Sequence, residues 1–153
     1  MAKKENIYIK EYVNYYLKLG INKIFIYDDN DFRTERIKDI INPLKNKYIT
    51  IYENNKSTIK NQPDAFTHCY YIHKKEYDWF IMVYLVIIND TLKNYLANEN
   101  FKKCDFIKIH WLIPTDNNLL YYNNKSLFER FKGPYKKSKF IKTLVRGNIN
   151  FRC

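Results

Sequence analysis

The sequence predicts an α/β domain with a mainly parallel, open sheet flanked by helices. Strand-like and helix-like segments alternate through about the first hundred residues, as they do where crossover helices join parallel strands. The apolar run 79–88 is rich in β-branched and aromatic residues, which favours a strand covered on both faces in the middle of a sheet. With 153 residues, the chain is long enough for one domain, 1–153, with its own core.

Helices are predicted where apolar residues recur at helical spacing. The clearest case is 5–19, which is followed by Gly20 at a position where helix ends favour glycine. Pro63 suits the first turn of a later helix. The predicted helices cover 5–19, 34–41, 62–77 and 91–96, with a helical turn over 127–132.

Strands are predicted in short β-branched or alternating segments between these helices. They cover 23–27, 48–52, 79–88, 105–111 and 140–146. The run 79–88 is too short to cross a bilayer as a helix, which needs about 20 residues. We expect neither a signal segment nor a transmembrane anchor, because the amino-terminal residues lead directly into polar, helix-like sequence.

The net charge is +11, from 27 Lys and Arg residues against 16 Asp and Glu residues. Such a surplus attracts polyanions, nucleotide phosphates or an acidic membrane surface, and it equally fits an ordinary solvated surface. Aromatic residues make up 18% of the chain, so a basic stacking surface for single-stranded nucleic acid is an alternative. Most of these residues fall on predicted apolar faces, which makes the core their expected place and nucleic acid the less favoured partner.

Three cysteines, Cys69, Cys104 and Cys153, are an odd number at wide spacing. We therefore expect no disulfide framework and a reducing, cytoplasmic location. Cys69 and His73 lie one helical turn apart, close to His68, as two metal ligands can. A closed metal site needs about four ligands, and no second pair is spaced to complete it. A core cysteine beside two partly exposed histidines is the favoured interpretation.

An acidic cluster follows the predicted strand 23–27. In open α/β sheets, ligands bind beyond the carboxyl ends of the strands, and Asp28, Asp29 and Asp31 lie at such an end. A carboxylate there can accept hydrogen bonds from a ribose or from a base N–H. Alternatively, these residues simply form the turn. The chain has three glycines, which excludes a glycine-rich dinucleotide fingerprint and a P-loop.

Longer segments carry a pattern that extends over nearly the whole chain. It begins with 6–20 (NIYIKEYVNYYLKLG) and 24–29 (IFIYDD). It continues with Gln62, Ala65, Cys69 and Asp78-Trp79, and then with 109–111 (IHW), 128–131 (FERF) and 139–146 (KFIKTLVR). In this order, the segments resemble the family-92 type glycosyltransferases.

The resemblance implies a GT-A fold that transfers a sugar from a nucleotide-sugar donor to an acceptor glycan or protein. It implies that Glu5, Asp28 and Asp29 bind the nucleotide sugar. It also implies that Trp111, Glu129 and Arg130 lie on the side where the acceptor binds. Such enzymes usually use manganese or magnesium, held by an Asp-x-Asp motif directly after the buried strand. The cation has a physical role there, because the diphosphate leaving group carries charge that must be neutralised.

The sequence departs from the family pattern at this motif and at both ends. After Met82-Val83 the chain continues as YLVII, and Asn89 and Asp90 follow beyond that apolar segment, so the metal ligands are missing. The chain also begins after the family's first strand and stops at Cys153, before its downstream histidine region. We therefore expect a partial domain with no metal site and little or no transferase activity. The alternatives are an inactive relative or fragment that acts as a binding module, and a basic single-stranded nucleic-acid-binding protein. A sheet edge left unpaired by the missing strand would favour self-association.

Overall fold

The computed structural model describes residues 1–41, 47–53, 59–82, 91–114, 125–130 and 135–149. In chain order the elements are α1 (Ile9–Lys18), β1 (Ile24–Asp28), α2 (Ile37–Ile41), β2 (Ile49–Glu53), α3 (Gln62–His73), β3 (Trp79–Ile81), α4 (Leu92–Leu96), a short 3-10 helix (Glu99–Phe101), β4 (Phe106–Pro114), α5 (Leu127–Arg130) and β5 (Tyr135–Arg146). Each predicted helix and strand has a counterpart at the same place in the described chain.

The two longest helices form for reasons visible in the sequence. In α1, Ile9, Val13 and Tyr16 recur at helical spacing and are buried. The helix ends before Gly20, whose φ of 82° is a left-handed conformation that glycine adopts readily. The helix α3 begins at the side chain of Asn61, which accepts a hydrogen bond from the backbone N–H of Asp64.

The described strands form two sheets. Strands β1 and β2 are parallel, from Ile24 opposite Ile49 to Asp28 opposite Glu53. Strands β3, β5 and β4 form an antiparallel sheet in that order. An isolated parallel bridge joins Ala2 to Asp28 at the end of β1.

The mixed α/β class is confirmed, whereas the mainly parallel sheet does not describe the strands that the structure shows. The parallel prediction depends on the alternation of strands with crossover helices, and this alternation ends after α4. The chain then reverses between β4 and β5, so that Pro114 lies opposite Tyr135. A reversal of this kind produces antiparallel neighbours.

The run 79–88 was expected to lie in the middle of the sheet. Residues 83–90 lie outside the described residues, and the described part is the three-residue strand β3. Among the described strands, β3 pairs with β5 and stands at the edge of its sheet. The central place belongs to β5, whose Leu144 and Val145 are buried on opposite faces.

Helices α1 and α3 cover opposite faces of the parallel sheet. On the α1 side, Ile24 and Ile26 of β1 pack with Val13 in one buried cluster. On the α3 side, Tyr27 packs with Ala65. Alternating residues of β1 therefore point to different helices, as the period of a strand requires.

The antiparallel sheet is likewise covered on both faces. On one side, Leu144 packs with Leu92 of α4. On the other side, Val145 packs with Phe80 and with Tyr70 of α3. Helix α3 thus contributes to the cores of both sheets.

Candidate functional site

The amino-terminal segment 2–6 crosses the carboxyl end of β1. The backbone N–H of Ala2 donates to the carbonyl of Tyr27 at 2.7 Å, and the N–H of Asp29 donates to the carbonyl of Ala2 at 2.8 Å. These two bonds place the segment beside the strand in parallel orientation.

Asn30 holds the same segment further along. Its side-chain oxygen accepts the backbone N–H of Lys4 at 2.8 Å, and its side-chain nitrogen donates to the side chain of Asn6 at 2.8 Å. Glu5 lies between these two anchored residues. The structure therefore brings Glu5 and the acidic turn after β1 to one edge of the sheet, although they are distant in sequence.

Asp28 is buried, with 1% of its surface exposed, and its carboxylate is engaged within the protein. One oxygen accepts Arg36 Nε at 2.9 Å and the backbone N–H of Ile37 at 3.0 Å, and the other accepts the N–H of Asn30 at 3.1 Å. The side chain thus forms an ion pair and caps the first turn of α2. Asp28 shapes the edge of the site rather than presenting a carboxylate to a ligand. No sequence signal set Arg36 apart from the other basic residues.

Asp29 lies closer to solvent than Asp28. Its side chain is 14% exposed, and its carboxylate is 3.7 Å from Nζ of Lys3. A lysine beside a carboxylate at the end of a parallel strand offers groups that suit the phosphate and the sugar of a nucleotide.

The residues implied for the acceptor side lie on two elements, Trp111 on β4 and Glu129 and Arg130 on α5. Glu129 is exposed and accepts the backbone N–H of Ser126 at 3.0 Å, while the Ser126 hydroxyl accepts the N–H of Glu129 at 3.2 Å. This reciprocal pair is a capping box that begins α5. Trp111 lies in β4, and its side chain lies outside the described part of the structure.

Arg130 is buried and approaches the residues that follow the amino-terminal segment. Its Nη1 donates to the hydroxyl of Tyr8 at 2.8 Å, and its guanidinium lies 5.8 Å from the centre of the Tyr8 ring. The backbone N–H of Tyr8 in turn donates to the carbonyl of Glu5 at 2.9 Å. Tyr8 therefore connects the Arg130 guanidinium to the backbone of the amino-terminal segment at Glu5. The sequence showed no reason to single out Tyr8.

A cavity of about 980 Å³ extends from this edge between the two sheets. We call it the inter-sheet cavity. Its lining includes Glu5 and Tyr8 at the candidate site, 24–27 of β1 and 79–82 at β3. Most of its wall is apolar or aromatic, so that a ligand inside it would be largely withdrawn from water.

The two histidines of α3 form hydrogen bonds with tyrosines. The Tyr27 hydroxyl and His68 Nδ1 are hydrogen-bonded at 2.8 Å, as are the Tyr52 hydroxyl and His73 Nε2. The other ring nitrogen of His73 lies 3.0 Å from Glu76. The described residues contain no group of three or more His, Cys, Asp and Glu side chains that could bind a metal ion. The segment that follows Met82, where the resemblance puts the metal motif, lies outside the described residues.

Cys69 is expected to react slowly at neutral pH. Burial raises the pKa of its thiol from 9.0 to about 11, and a hydrogen bond with Tyr27 offsets part of this increase. We expect the rate of iodoacetamide alkylation at Cys69 to rise about tenfold for each pH unit up to about pH 10, because only the thiolate reacts. In urea the same site should level off near pH 9, the ordinary thiol range. If the alkylation rate of the folded protein also levelled off near pH 9, this result would contradict the raised pKa.

The same pKa difference makes stability depend on pH. Since the pKa of Cys69 is higher in the folded protein, the contribution of the neutral thiol is fully present below pH 9.0 and is lost as the pH rises to about 11. Replacement of Cys69 by alanine should remove this part of the alkaline loss. In the alkylation experiment, peptide mapping by mass spectrometry follows Cys69 separately from the other cysteines.

No protein-family model, curated protein or solved structure matches the chain. Within the described ranges, no helix has the length and apolar character needed to span a membrane.

Proposed function

We propose that the chain is a glycosyltransferase-like domain that binds a nucleotide sugar and has little or no transferase activity of its own. The observation that supports the proposal is the convergence of Glu5 and Asp29 at the carboxyl end of β1. Ligands of open α/β sheets bind at such ends. The resemblance to family-92 type glycosyltransferases assigns the same two residues to the nucleotide side.

The chemistry of this edge suits a nucleoside diphosphate sugar. Carboxylates accept hydrogen bonds from ribose hydroxyls and base N–H groups, as Glu5 and Asp29 would. The cations nearby, Lys3 and Arg130, suit the diphosphate, and an arginine fork can bind two phosphate oxygens at once. Because the sequence has no Asp-x-Asp motif directly after Met82-Val83, where the resemblance expects it, the proposal assigns charge neutralisation to these side chains and not to a divalent cation.

The proposal also covers the acceptor and the compartment. In this proposal, a glycan acceptor binds near Trp111 and Glu129, as the resemblance implies. It places the protein in a reducing compartment such as the cytoplasm, because both described cysteines, Cys69 and Cys104, are free thiols.

Calorimetric titration with uridine and guanosine diphosphate provides the test. We expect saturable binding of at least one diphosphate, with an affinity that changes less than about twofold between manganese and a chelator. Glu5→Gln and Asp29→Asn should each raise Kd about tenfold or more, since each removes a charge-assisted hydrogen bond. Asp39→Asn is the matched control, because Asp39 is an exposed carboxylate on α2.

Three results would contradict the proposal. One is the absence of saturable binding of either diphosphate. The second is binding to a single-stranded oligonucleotide that falls steeply with salt, which would favour the nucleic-acid alternative. The third, manganese-dependent turnover of a nucleotide sugar, would leave the binding site in place and refute the lack of activity.

A further inference from the structure

Two pairs of a tyrosine and a histidine lie side by side on the face of the parallel sheet that α3 covers. The Tyr27 hydroxyl lies 2.8 Å from Nδ1 of His68, and the Tyr52 hydroxyl lies 2.8 Å from Nε2 of His73. Tyr27 and Tyr52 are opposite each other in β1 and β2. Their rings stack with the centroids 4.8 Å apart and an angle of 24° between the planes. Each of the two stacked phenols therefore has an imidazole of its own.

Glu76 determines where the proton of His73 lies. Its carboxylate oxygen is 3.0 Å from Nδ1 of His73. A carboxylate only accepts hydrogen bonds, so the neutral imidazole carries its proton on Nδ1 and has a free electron pair on Nε2. The Tyr52 hydroxyl therefore donates to Nε2. A hydroxyl, a base and a carboxylate in this order allow the proton to leave the hydroxyl, because the carboxylate stabilises the imidazolium that forms.

The two phenols stay protonated at neutral pH. Burial raises the pKa of the Tyr27 hydroxyl and the pKa of the Tyr52 hydroxyl. A phenol that loses an electron becomes a strong acid, so the electron leaves readily only when a base takes the proton in the same step. His68 and His73 lie within hydrogen-bond distance of the hydroxyls, as such a base must.

The stacked pair extends from the core towards the surface. Tyr27 is buried, whereas Tyr52 is half-buried. The side chain of His73 is 13% exposed and that of Glu76 is 55% exposed. An electron can pass to a small molecule that touches the protein near Tyr52, so the step requires no pocket. The net charge of +11 attracts anions to the surface and favours an anionic oxidant.

We propose that Tyr52, His73 and Glu76 form a site of one-electron oxidation and that Tyr27 shares the radical. Tyr52 gives one electron to a small oxidant such as an inorganic radical anion, while its hydroxyl proton moves to Nε2 of His73. An electron from Tyr27 then fills the vacancy on Tyr52. The Tyr27 proton moves to Nδ1 of His68, and the proton on His73 returns to Tyr52.

A one-electron reductant such as ascorbate completes the cycle. It supplies one electron to the radical, and the proton held by the imidazole returns to the phenol oxygen. The site therefore removes an oxidising radical without permanent change to the chain. This inference goes beyond the proposed function, since it requires no nucleotide.

A purely structural role for the two pairs predicts a different result. The hydrogen bonds would then only satisfy polar atoms in a half-buried layer. Oxidation would follow exposure, and Tyr48 and Tyr95, which are 37% and 38% exposed, would react before Tyr52. The proposal predicts the opposite order.

The test uses the full chain with Cys69→Ala, Cys104→Ser and Cys153→Ser, so that thiols do not compete for the oxidant. Circular dichroism compares the fold of this parent with that of the unchanged chain. Hexachloroiridate is the one-electron oxidant, a nitroso spin trap captures tyrosyl radicals, and peptide mapping by mass spectrometry locates the adducts. We expect more adduct on Tyr52 than on either exposed tyrosine. The rate at Tyr52 should fall in deuterium oxide, because a proton moves with the electron.

Two variants test the base and the carboxylate. His73→Phe removes the base and keeps a ring to stack on Phe25, whose centroid is 4.2 Å from that of His73. Adduct formation at Tyr52 should fall about tenfold or more, since a positioned base is lost, and the isotope effect should disappear. Glu76→Gln changes an exposed side chain and should slow the reaction about twofold to fivefold. In both variants, the two exposed tyrosines should change less than about twofold.

Tyr27→Phe tests whether the radical is shared. The variant keeps the stacked ring and removes the hydroxyl. Without the trap, the tyrosyl signal in freeze-quench electron paramagnetic resonance should decay at least about twofold faster than in the parent, because the radical no longer divides its time between Tyr52 and a buried ring.

The inference fails in any of three cases. Adducts that are more abundant on Tyr48 and Tyr95 than on Tyr52 would show that exposure decides the reaction. A rate at Tyr52 that His73→Phe and Glu76→Gln leave unchanged would show that the histidine is not the base, and Glu76→Gln decides alone if His73→Phe does not fold. Equal decay of the signal in Tyr27→Phe and in the parent would refute the shared radical.

Discussion

Asp28→Asn should lower the free energy of unfolding by about 3 to 5 kcal/mol, the range measured when one partner of a buried ion pair is removed. The Asp28 side chain is fully buried, and that of Arg36 is 15% exposed, with the two charged atoms 2.9 Å apart. The substitution keeps the size of the side chain but leaves the guanidinium without its counter-charge. It also weakens the acceptor for the N–H of Ile37 at the start of α2.

Urea denaturation followed by circular dichroism measures this loss. Asp29→Asn is the control, because it makes the same chemical change at the next residue, where the partner Lys3 is 58% exposed. Because the Lys3 ammonium is largely in water and 3.7 Å from Asp29, this pair should contribute about 1 kcal/mol or less, and the control should stay within that range. Similar losses for the two variants would show that the Asp28–Arg36 pair is not the main support of this turn. The contrast also justifies Asp29→Asn as the probe of nucleotide binding, since it should remain folded.

Gly147→Ala should destabilise the chain by about 3 kcal/mol, because the new methyl group meets backbone and not a movable side chain. A Cβ atom at this position would overlap the carbonyl oxygen of Tyr77 and would lie 2.8 Å from the carbonyl oxygen of Lys74. The N–H of Gly147 also donates to the carbonyl of Asp78 at 2.7 Å. Relief of the overlap would pull the end of β5 away from the turn before β3.

Gly20→Ala is the matched control for this variant. A Cβ at Gly20 would meet Thr91 at 3.9 Å, an ordinary contact, but the φ of 82° would remain unfavourable. The left-handed conformation costs an alanine about 1 to 2 kcal/mol. Thermal and urea unfolding should therefore rank Gly147→Ala below Gly20→Ala in stability. The opposite order would show that backbone conformation, and not close packing at Gly147, dominates.

Local patterns in the sequence determined most of the secondary structure. The helix predicted over 5–19 is observed as Ile9–Lys18, because three apolar residues recur on one face and Gly20 suits the end. The strand predicted over 105–111 is observed as Phe106–Pro114, with longer pairing than its alternation indicated. These features depend on neighbours within a few residues, and sequence spacing reports such neighbours directly.

The candidate site was determined by sequence only in part. The acidic turn after β1 is visible in the chain, but the engagement of Asp28 by Arg36 is not, because nothing distinguishes Arg36 among 27 basic residues. The approach of Arg130 to Tyr8 joins residues from opposite ends of the chain. Such contacts follow from the order in which strands and helices pack, which periodicity does not contain.

By itself, the sequence determined where helices and strands form, the α/β class and the position of an acidic turn at the end of a strand. The tertiary structure alone decided that β3, β5 and β4 are antiparallel, that β3 stands at an edge of the described sheet, and that a cavity separates it from β1. The reason is physical: side-chain pattern selects a local backbone conformation, whereas the choice of neighbouring strand depends on backbone hydrogen bonds that are the same for almost every residue type.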